Sequence, residues 1–373
     1  MDVIFRTDAS LMIGTGHVMR CLTLAKELSN SGVNCQFICR AHNGNLIERI
    51  KQEGFKVHAL PLRNIEQVEE TTSVATNRQY ADWLGVDQKK DSEDTIACLR
   101  ETIPDWLIVD HYAIDIDWEK RFRGHCRKMM VIDDLANRKH DCDLLLDQNF
   151  GRSNKMYSDL VPENCTVFTG SKYALLRSEF SLHREASLAR RNNRTIKNVL
   201  ISMGGIDSNN TTGKVLAALK NSELPADCAI TVVMGKNSPA KHLVQSEASD
   251  MPWVTDVLFD VNNMAELMTK SDLAIGAAGS TAWERCCLGL PTVILVLAQN
   301  QQASASALER SGAAIVIQNE DALEIEMAHA IHYLMQDSTL SKMSIAAQGL
   351  TDGTGARIIA ELLLDSGFVY DKQ

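Results

Sequence analysis

The sequence predicts an α/β protein made of two successive doubly wound domains, each a parallel sheet flanked by helices. Three observations predict it. Short apolar runs alternate with helical patterns along the chain. Glycine-rich turns follow several of these runs. The alternation is interrupted once, by a polar stretch over 182–197, and then restarts. A chain of 373 residues is also long enough for two domains of ordinary size.

In the first half, apolar runs at 2–6, 34–39, 56–60, 106–110, 129–133 and 144–147 read as buried strands. Helical patterns at 17–29 and 45–53 separate the early ones, which implies parallel βαβ units with right-handed crossovers. Residues 1–181 are therefore read as an N-terminal Rossmann-like domain. The arginine- and asparagine-rich stretch 182–197 is read as a linker, and 198–373 as a C-terminal Rossmann-like domain. That second half predicts strands at 199–203, 230–234, 273–275, 292–297 and 313–317. Its predicted helices fall at 210–219, 282–288, 325–335 and 356–364, the last of them free to pack back on the N-terminal domain. In such an architecture a ligand is expected in the interdomain cleft, outside the carboxyl ends of the strands.

Composition narrows the function. A content of 45% hydrophobic and 23% charged residues is ordinary for a globular protein. The net charge of −10, with no long basic run, argues against nucleic acid as a partner. The first residues lack a signal-peptide pattern, and the apolar run 293–298 is too short to insert in a bilayer. Ten cysteines are scattered without a Cys-x-x-Cys pair, as expected for reduced thiols of a cytoplasmic protein. Oligomeric state is not legible.

The most informative stretch is 7–20, which reads as strand, glycine loop and helix. Free backbone N–H groups and the helix dipole suit a phosphate there, with Gly14 and Gly16 clearing space. His17 opens the helix. The helix N-terminus is expected to lower its pKa and keep the imidazole neutral, ready to accept a proton. A plain N-terminal histidine is the alternative.

A second constellation is Gly276-Ala277-Ala278-Gly279-Ser280-Thr281-Ala282-Trp283-Glu284. Small residues let a diphosphate approach the backbone and the hydroxyls of Ser280 and Thr281, which also read as a helix N-cap. Glu284, one turn into the helix, can accept both hydroxyls of a ribose. A tight turn with a capped helix fits the same residues. Gly204 and Gly205 follow another strand and can let phosphate approach closely; Gly235 is a weaker case. None of these loops is a P-loop, and Gly14-x-Gly16 lacks the third glycine of the dinucleotide fingerprint. Asp115-x-Asp117, Asp133-Asp134 and Asp141-x-Asp143 are formal metal patterns, but acidic residues at helix starts and turns explain them as well. No metal and no cofactor is expected.

The run Arg6-x-Asp8-x-Ser10-x-x-Ile13-Gly14-x-Gly16-His17-x-x-Arg20-Cys21-Leu22-x-Leu24-Ala25 resembles the opening of the UDP-sugar hydrolases of pseudaminic acid biosynthesis, the UDP-2,4-diacetamido-2,4,6-trideoxy-β-L-altropyranose hydrolase family. Ile132–Ala136, Leu175-Leu176-Arg177-x-Glu179-Phe180, Ile201-Ser202-Met203-Gly204-Gly205-x-Asp207 and the Gly279–Glu284 block resemble its later motifs, in order. The family is similar in fold to GT-B glycosyltransferases. The resemblance implies a small-molecule UDP-sugar substrate bound mainly by the C-terminal domain, and metal-independent cleavage at the anomeric C–O bond with inversion. It implies that His17 activates or positions the water. Gly14, Gly16 and Arg20 would line the same substrate site, and Gly204, Gly205, Gly279, Ser280 and Thr281 would hold the diphosphate. Glu284 would hold the ribose, and Asn300 and Tyr112 would face the sugar. The competing readings are a GT-B glycosyltransferase, a hydrolysing UDP-GlcNAc 2-epimerase and a binding-only module.

Overall fold

The computed structural model describes residues 1–62, 78–99, 103–191, 195–236 and 238–365. The chain divides into two compact units. One is Met1–Leu175 with Ala356–Gln373, the other Leu176–Gly355.

The first unit holds a seven-stranded, all-parallel sheet. Its strands are β1 (Asp2–Thr7), β2 (Asn34–Arg40), β3 (Lys56–Leu60), β4 (Trp106–Asp110), β5 (Lys128–Ile132), β6 (Leu144–Asp147) and β7 (Thr166–Thr169). Their order is β3-β2-β1-β4-β5-β6-β7. The chain builds outward from β1 to β3 and then returns to lay β4 along the other side of β1, with Val3 opposite Trp106. The central strands carry apolar runs because helices cover both faces of a parallel sheet. Val3, Phe5, Phe37 and Ile108 pack on one face, and Leu107, Val109, Met129 and Leu145 on the other.

The second unit repeats the plan with six parallel strands. They are β8 (Asn198–Ser202), β9 (Ala229–Met234), β10 (Val254–Phe259), β11 (Leu273–Ala277), β12 (Thr292–Leu295) and β13 (Ala314–Ile317), in the order β10-β9-β8-β11-β12-β13. Here β8 and β11 adjoin at the reversal of strand order, with Leu273 opposite Val199. Both sheets therefore have a topological switch point, where the loops leaving two adjacent strands diverge to opposite faces and open a crevice at the carboxyl ends.

One feature departs from the sequence-based expectation. The stretch read as a linker is largely a helix, Ser178–Arg190, inside the second unit; its residues 192–194 lie outside the described residues. Its described arginines are tied to groups of the same unit. Arg184 donates to the carbonyls of Thr351 and Gln348 at 3.0 and 2.8 Å, Arg191 to that of Met268 at 3.0 Å, and Arg190 pairs with Asp272 at 2.8 Å. The final helix, Gly355–Leu364, lends Ala356, Ile359, Ala360 and Leu363 to the core of the first unit, where Trp106 Nε1 donates to the Leu363 carbonyl at 3.2 Å. All ten cysteines are free thiols. Among the described residues, no helix is long and apolar enough to cross a membrane.

Candidate active site

The switch point of the first unit gathers the titratable side chains. After β1 the chain curls through Ser10–Gly14. The Ser10 hydroxyl accepts from the N–H groups of Met12 and Ile13 at 3.1 and 2.9 Å, and Gly14 N–H returns to the Ser10 carbonyl at 2.9 Å. Gly14 has φ +82°, which only glycine adopts without strain. A Cβ there would meet no protein atom within 4 Å, so within the protein itself it is the backbone angle that calls for glycine, and the space beside it is open. The turn delivers the chain to the helix Gly16–Asn30, whose first turn carries no acidic residue and no side-chain cap.

His17 and Arg20 project from that helix toward Asp110, the last residue of β4. His17 Nδ1 lies 2.6 Å from Asp110 Oδ1. Arg20 grips the same carboxylate with two nitrogens, Nε at 2.6 Å and Nη2 at 2.7 Å. Burial would push the Asp110 carboxyl up, but Arg20 and His17 outweigh it and hold it well below the usual carboxylate range. An ionised Asp110 can only accept. His17 Nδ1 must therefore carry the proton, and Nε2 is the nitrogen left to accept one. The pairing thus supplies a feature that the helix terminus alone does not provide, a fixed tautomer. Arg20 completes the assembly by donating Nη1 to Asp134 Oδ2 at 2.7 Å, and all three of its nitrogens face carboxylates. Arg20 thereby anchors the cluster, within the segment expected to line the substrate site.

Tyr112 donates its hydroxyl to Asp134 at 2.7 Å and meets the His17 ring edge-on, centroids 4.5 Å apart. Trp83 stacks on Tyr112 at 5.6 Å, and Tyr80 meets both rings. Asp110, Tyr80 and Trp83 are not singled out by the sequence as site residues, and Asp134 only within a formal metal pattern and a family-like motif. Asp110 did carry a signal, since a carboxylate closing a buried parallel strand points at the carboxyl-end crevice.

The formal metal patterns have structural uses. Asp115 caps the helix Ile116–Phe122 by accepting from Asp117 N–H at 3.0 Å. Arg123 bridges Asp141 and Asp143 at 3.1 and 2.6 Å. Asp133 accepts from the N–H groups of Leu135 and Ala136 at 3.2 and 2.7 Å. Among the described residues, no group of three or more His, Cys, Asp or Glu side chains is arranged to hold a metal ion.

In the second unit, the loops after β8 and β11 flank the other switch point. Gly204 has φ +99° and open space where a Cβ would be. A Cβ on Gly235, just after β9, would fall 2.1 Å from the Gly205 carbonyl oxygen, and one on Gly276 would fall 2.7 Å from that of Ser202. These glycines let three strand ends close together beneath the loops. The helix that follows Gly204 and Gly205, Thr211–Leu219, is already capped. Asp207 accepts from Thr211 and Thr212 N–H at 2.8 and 2.9 Å, and Asn210 from Gly213 N–H at 3.2 Å. An anion held there would rest on the loop backbone, not on that helix terminus.

Gly279 borders open space. Ser280 occupies the N-cap position of the helix Thr281–Cys287, but its own φ and ψ are helical and no side chain caps the helix, which corrects the expected hydroxyl cap. Thr281 Oγ1 takes only a long contact from Arg285, at 3.4 Å. Glu284 is half-buried; burial pushes its carboxyl up, against Arg177, whose Nη2 lies 3.5 Å away. Asn300 sits half-buried in the turn Gln299–Gln301 after β12.

Residues 164–356, just over half of the chain, match the glycosyltransferase family 28 C-terminal domain, and the chain belongs to that family. A relative from Methanocaldococcus jannaschii, "Uncharacterized protein MJ1062", is 30% identical over 79% of this chain; the chain spans 55% of that relative's length. The UDP-2,4-diacetamido-2,4,6-trideoxy-β-L-altropyranose hydrolase of Campylobacter jejuni is 29% identical over 84% of this chain and 97% of its own length. Among solved structures, MurG of Acinetobacter baumannii superposes with a TM-score of 0.68 at 17% identity, covering 97% of this chain and 99% of that one. The fold is thus the GT-B arrangement of two Rossmann-like domains.

Proposed function

We propose that the protein hydrolyses UDP-2,4-diacetamido-2,4,6-trideoxy-β-L-altropyranose, releasing UDP and the free sugar by attack of water at the anomeric carbon with inversion. The observation that carries this reading is the His17–Asp110 pair, at 2.6 Å. Asp110 fixes the proton on Nδ1, so Nε2 takes the proton of the attacking water, and the imidazolium that forms is stabilised by the same carboxylate. The near full-length likeness to the Campylobacter hydrolase supports the substrate assignment.

UDP is a good leaving group, so the protein's second task is to stabilise charge gathering on the β-phosphate. The Gly204-Gly205 backbone and the Gly279–Thr281 loop supply preorganised N–H and hydroxyl donors for it, without need of a metal. Glu284 accepts from the ribose hydroxyls, and Arg177 beside it favours the ionised form. Tyr112 and Asn300 face the sugar. The charge balance and the free thiols fit a cytoplasmic biosynthetic enzyme that supplies a surface glycan.

A test is incubation with the UDP-sugar in oxygen-18 water. Label on C1 of the sugar supports C–O cleavage, whereas label on UDP rejects it. His17→Ala is expected to lower turnover about 10²–10⁴-fold while UDP affinity barely changes; near-normal turnover would remove His17 from the chemistry. The family membership favours one second reading, transfer of the sugar to an acceptor. UDP release that requires an added acceptor would establish it.

A further inference from the structure

Beside the His17 cluster lies a buried group that the proposed reaction does not use. The Tyr157 hydroxyl sits 2.9 Å from Asp133 Oδ2 and 2.9 Å from Asp147 Oδ2, with all three residues fully buried. A single hydroxyl carries a single proton and can donate to one of the two. Were both carboxyls ionised, one would face the hydroxyl's lone pairs at 2.9 Å in a fully buried site.

We propose that Asp147 is held as a neutral carboxylic acid and serves as a positioning residue for the His17 cluster, which loosens when Asp147 loses its proton.

Asp133 is the ionised partner. Arg138 Nη1 lies 2.5 Å from its Oδ1, and the Leu135 and Ala136 N–H groups donate to Oδ2. Burial opposes that charge, but Arg138 and His140 prevail and hold the carboxyl well below its ordinary range. The second proton therefore belongs to Asp147, which donates to the Tyr157 oxygen while Tyr157 donates to Asp133. Consistent with this, burial and then the charge of Asp134 push the Asp147 carboxyl up to about 7, against the Asn149 N–H and Arg152.

Two residues tie Asp147 to the cluster. Asn149 Nδ2 donates both to Asp147 Oδ1 at 2.8 Å and to Asp134 Oδ1 at 3.0 Å. Arg152 sets Nε 3.3 Å from Asp147 Oδ2 and donates Nη2 to the Asp134 carbonyl at 2.7 Å. Asp134 in turn receives Arg20 and Tyr112 on its other oxygen.

The charged and titratable groups facing Asp147 are thus Asp133 and Asp134 from the segment after β5, Arg152 from that after β6, and Tyr157. Arg138 and His140 stand behind Asp133. Opposite it on β7 is the uncharged Thr169. Ionising Asp147 brings a third carboxylate charge into this group, with Arg152 the cation beside it among the described residues. Asn149 can then serve both carboxyls only by holding two negative charges together. Asp134 yields, and Arg20 and Tyr112 move with it.

The test uses the intact chain without substrate, so it stands or falls separately from the hydrolase reading. Denaturant unfolding of wild type and Asp147→Asn is measured from about pH 5 to about pH 8.5, with ring-nitrogen NMR of His17 in parallel. A carboxyl whose pKa is raised by folding stabilises the fold at low pH, and that stabilisation is lost as pH rises through about 7. The ratio of wild-type to variant folding constants should therefore fall by up to about tenfold per pH unit below that midpoint. The His17 signals should show a matching inflection in wild type that is missing from the variant. If Asp147→Asn does not fold, carboxyl NMR of selectively labelled aspartates in wild type decides, with one signal expected to titrate near 7 and the His17 signals expected to shift in step with it. Parallel stability profiles, no aspartate titrating there, or His17 signals indifferent to that titration would each overturn the proposal.

Discussion

Asp110 sets the chemistry of His17 by occupying one nitrogen and leaving the other. Two tests therefore act on the same pair from opposite sides. Where His17→Ala removes the base, Asp110→Asn keeps the shape and removes the charge that fixes the tautomer. Turnover is expected to fall about 10²–10⁴-fold, with the pH–rate profile changed in shape, because the imidazolium loses its counter-charge. The fold should suffer as well, by about 2–4 kcal/mol, since buried Arg20 keeps Asp134 but loses its two-pronged partner. Asp110 is held below the ordinary carboxylate range, so its contribution is present above the unfolded pKa of about 4 and is lost as pH falls. Asp110→Asn should accordingly show a shallower acid limb in unfolding experiments; an acid limb identical to wild type would contradict the pairing. The sequence pointed to His17 because the glycine loop and helix start are local. It could not pair His17 with Asp110, 93 positions away, because that contact exists only once β4 lies beside β1.

At the scale of elements, legibility followed burial. The strands recovered from sequence are mostly central ones with continuous apolar runs, which need no partner to be recognised. The two that were missed, β7 and β10, are edge strands with partly exposed, mixed faces. The helix Ser178–Arg190 was hidden for another reason: its arginines answer backbone carbonyls and an aspartate of the same unit, and sequence composition does not distinguish such arginines from solvated ones. The glycines were legible as turns, but their reasons were not. Gly235 matters because the Gly205 carbonyl occupies the space of its missing Cβ, a contact between the ends of neighbouring strands. Gly235→Ala is therefore expected to cost about 1–3 kcal/mol, as overpacking does when backbone must move. UDP affinity should weaken with it, because the Gly204-Gly205 loop is what yields. Calorimetry of UDP binding alongside thermal unfolding checks this; a variant with lowered stability and unchanged UDP affinity would detach that loop from the diphosphate.

At the scale of the molecule, the chain closes on itself: its last helix completes the core of the unit its first strand began. The amphipathic pattern of 356–364 makes the helix legible and allows its return to the N-terminal domain, although an apolar stripe alone does not say which core it fills. The structure gives it to the first unit, where Ile359 and Leu363 are fully buried among Val3, Phe5 and Trp106. A fragment ending at residue 175 would expose that face and leave the Trp106 indole N–H without its carbonyl partner at Leu363. Ile359→Asp puts an unpaired charge into the same place. It should destabilise the first unit by about 3–5 kcal/mol, in the range of other buried-charge defects. The second unit draws its core from other residues, Val199, Ile201, Val232 and Ile275 among them, and should retain its own unfolding transition and its affinity for UDP. Hydrogen exchange read by mass spectrometry separates the two outcomes. Protection lost from β1, β2 and β4 but kept in β8 and β11 supports this assignment. Equal loss in both sheets would mean that the two units unfold as one, and the last helix would then be a clasp for the whole chain and not a part of the first core.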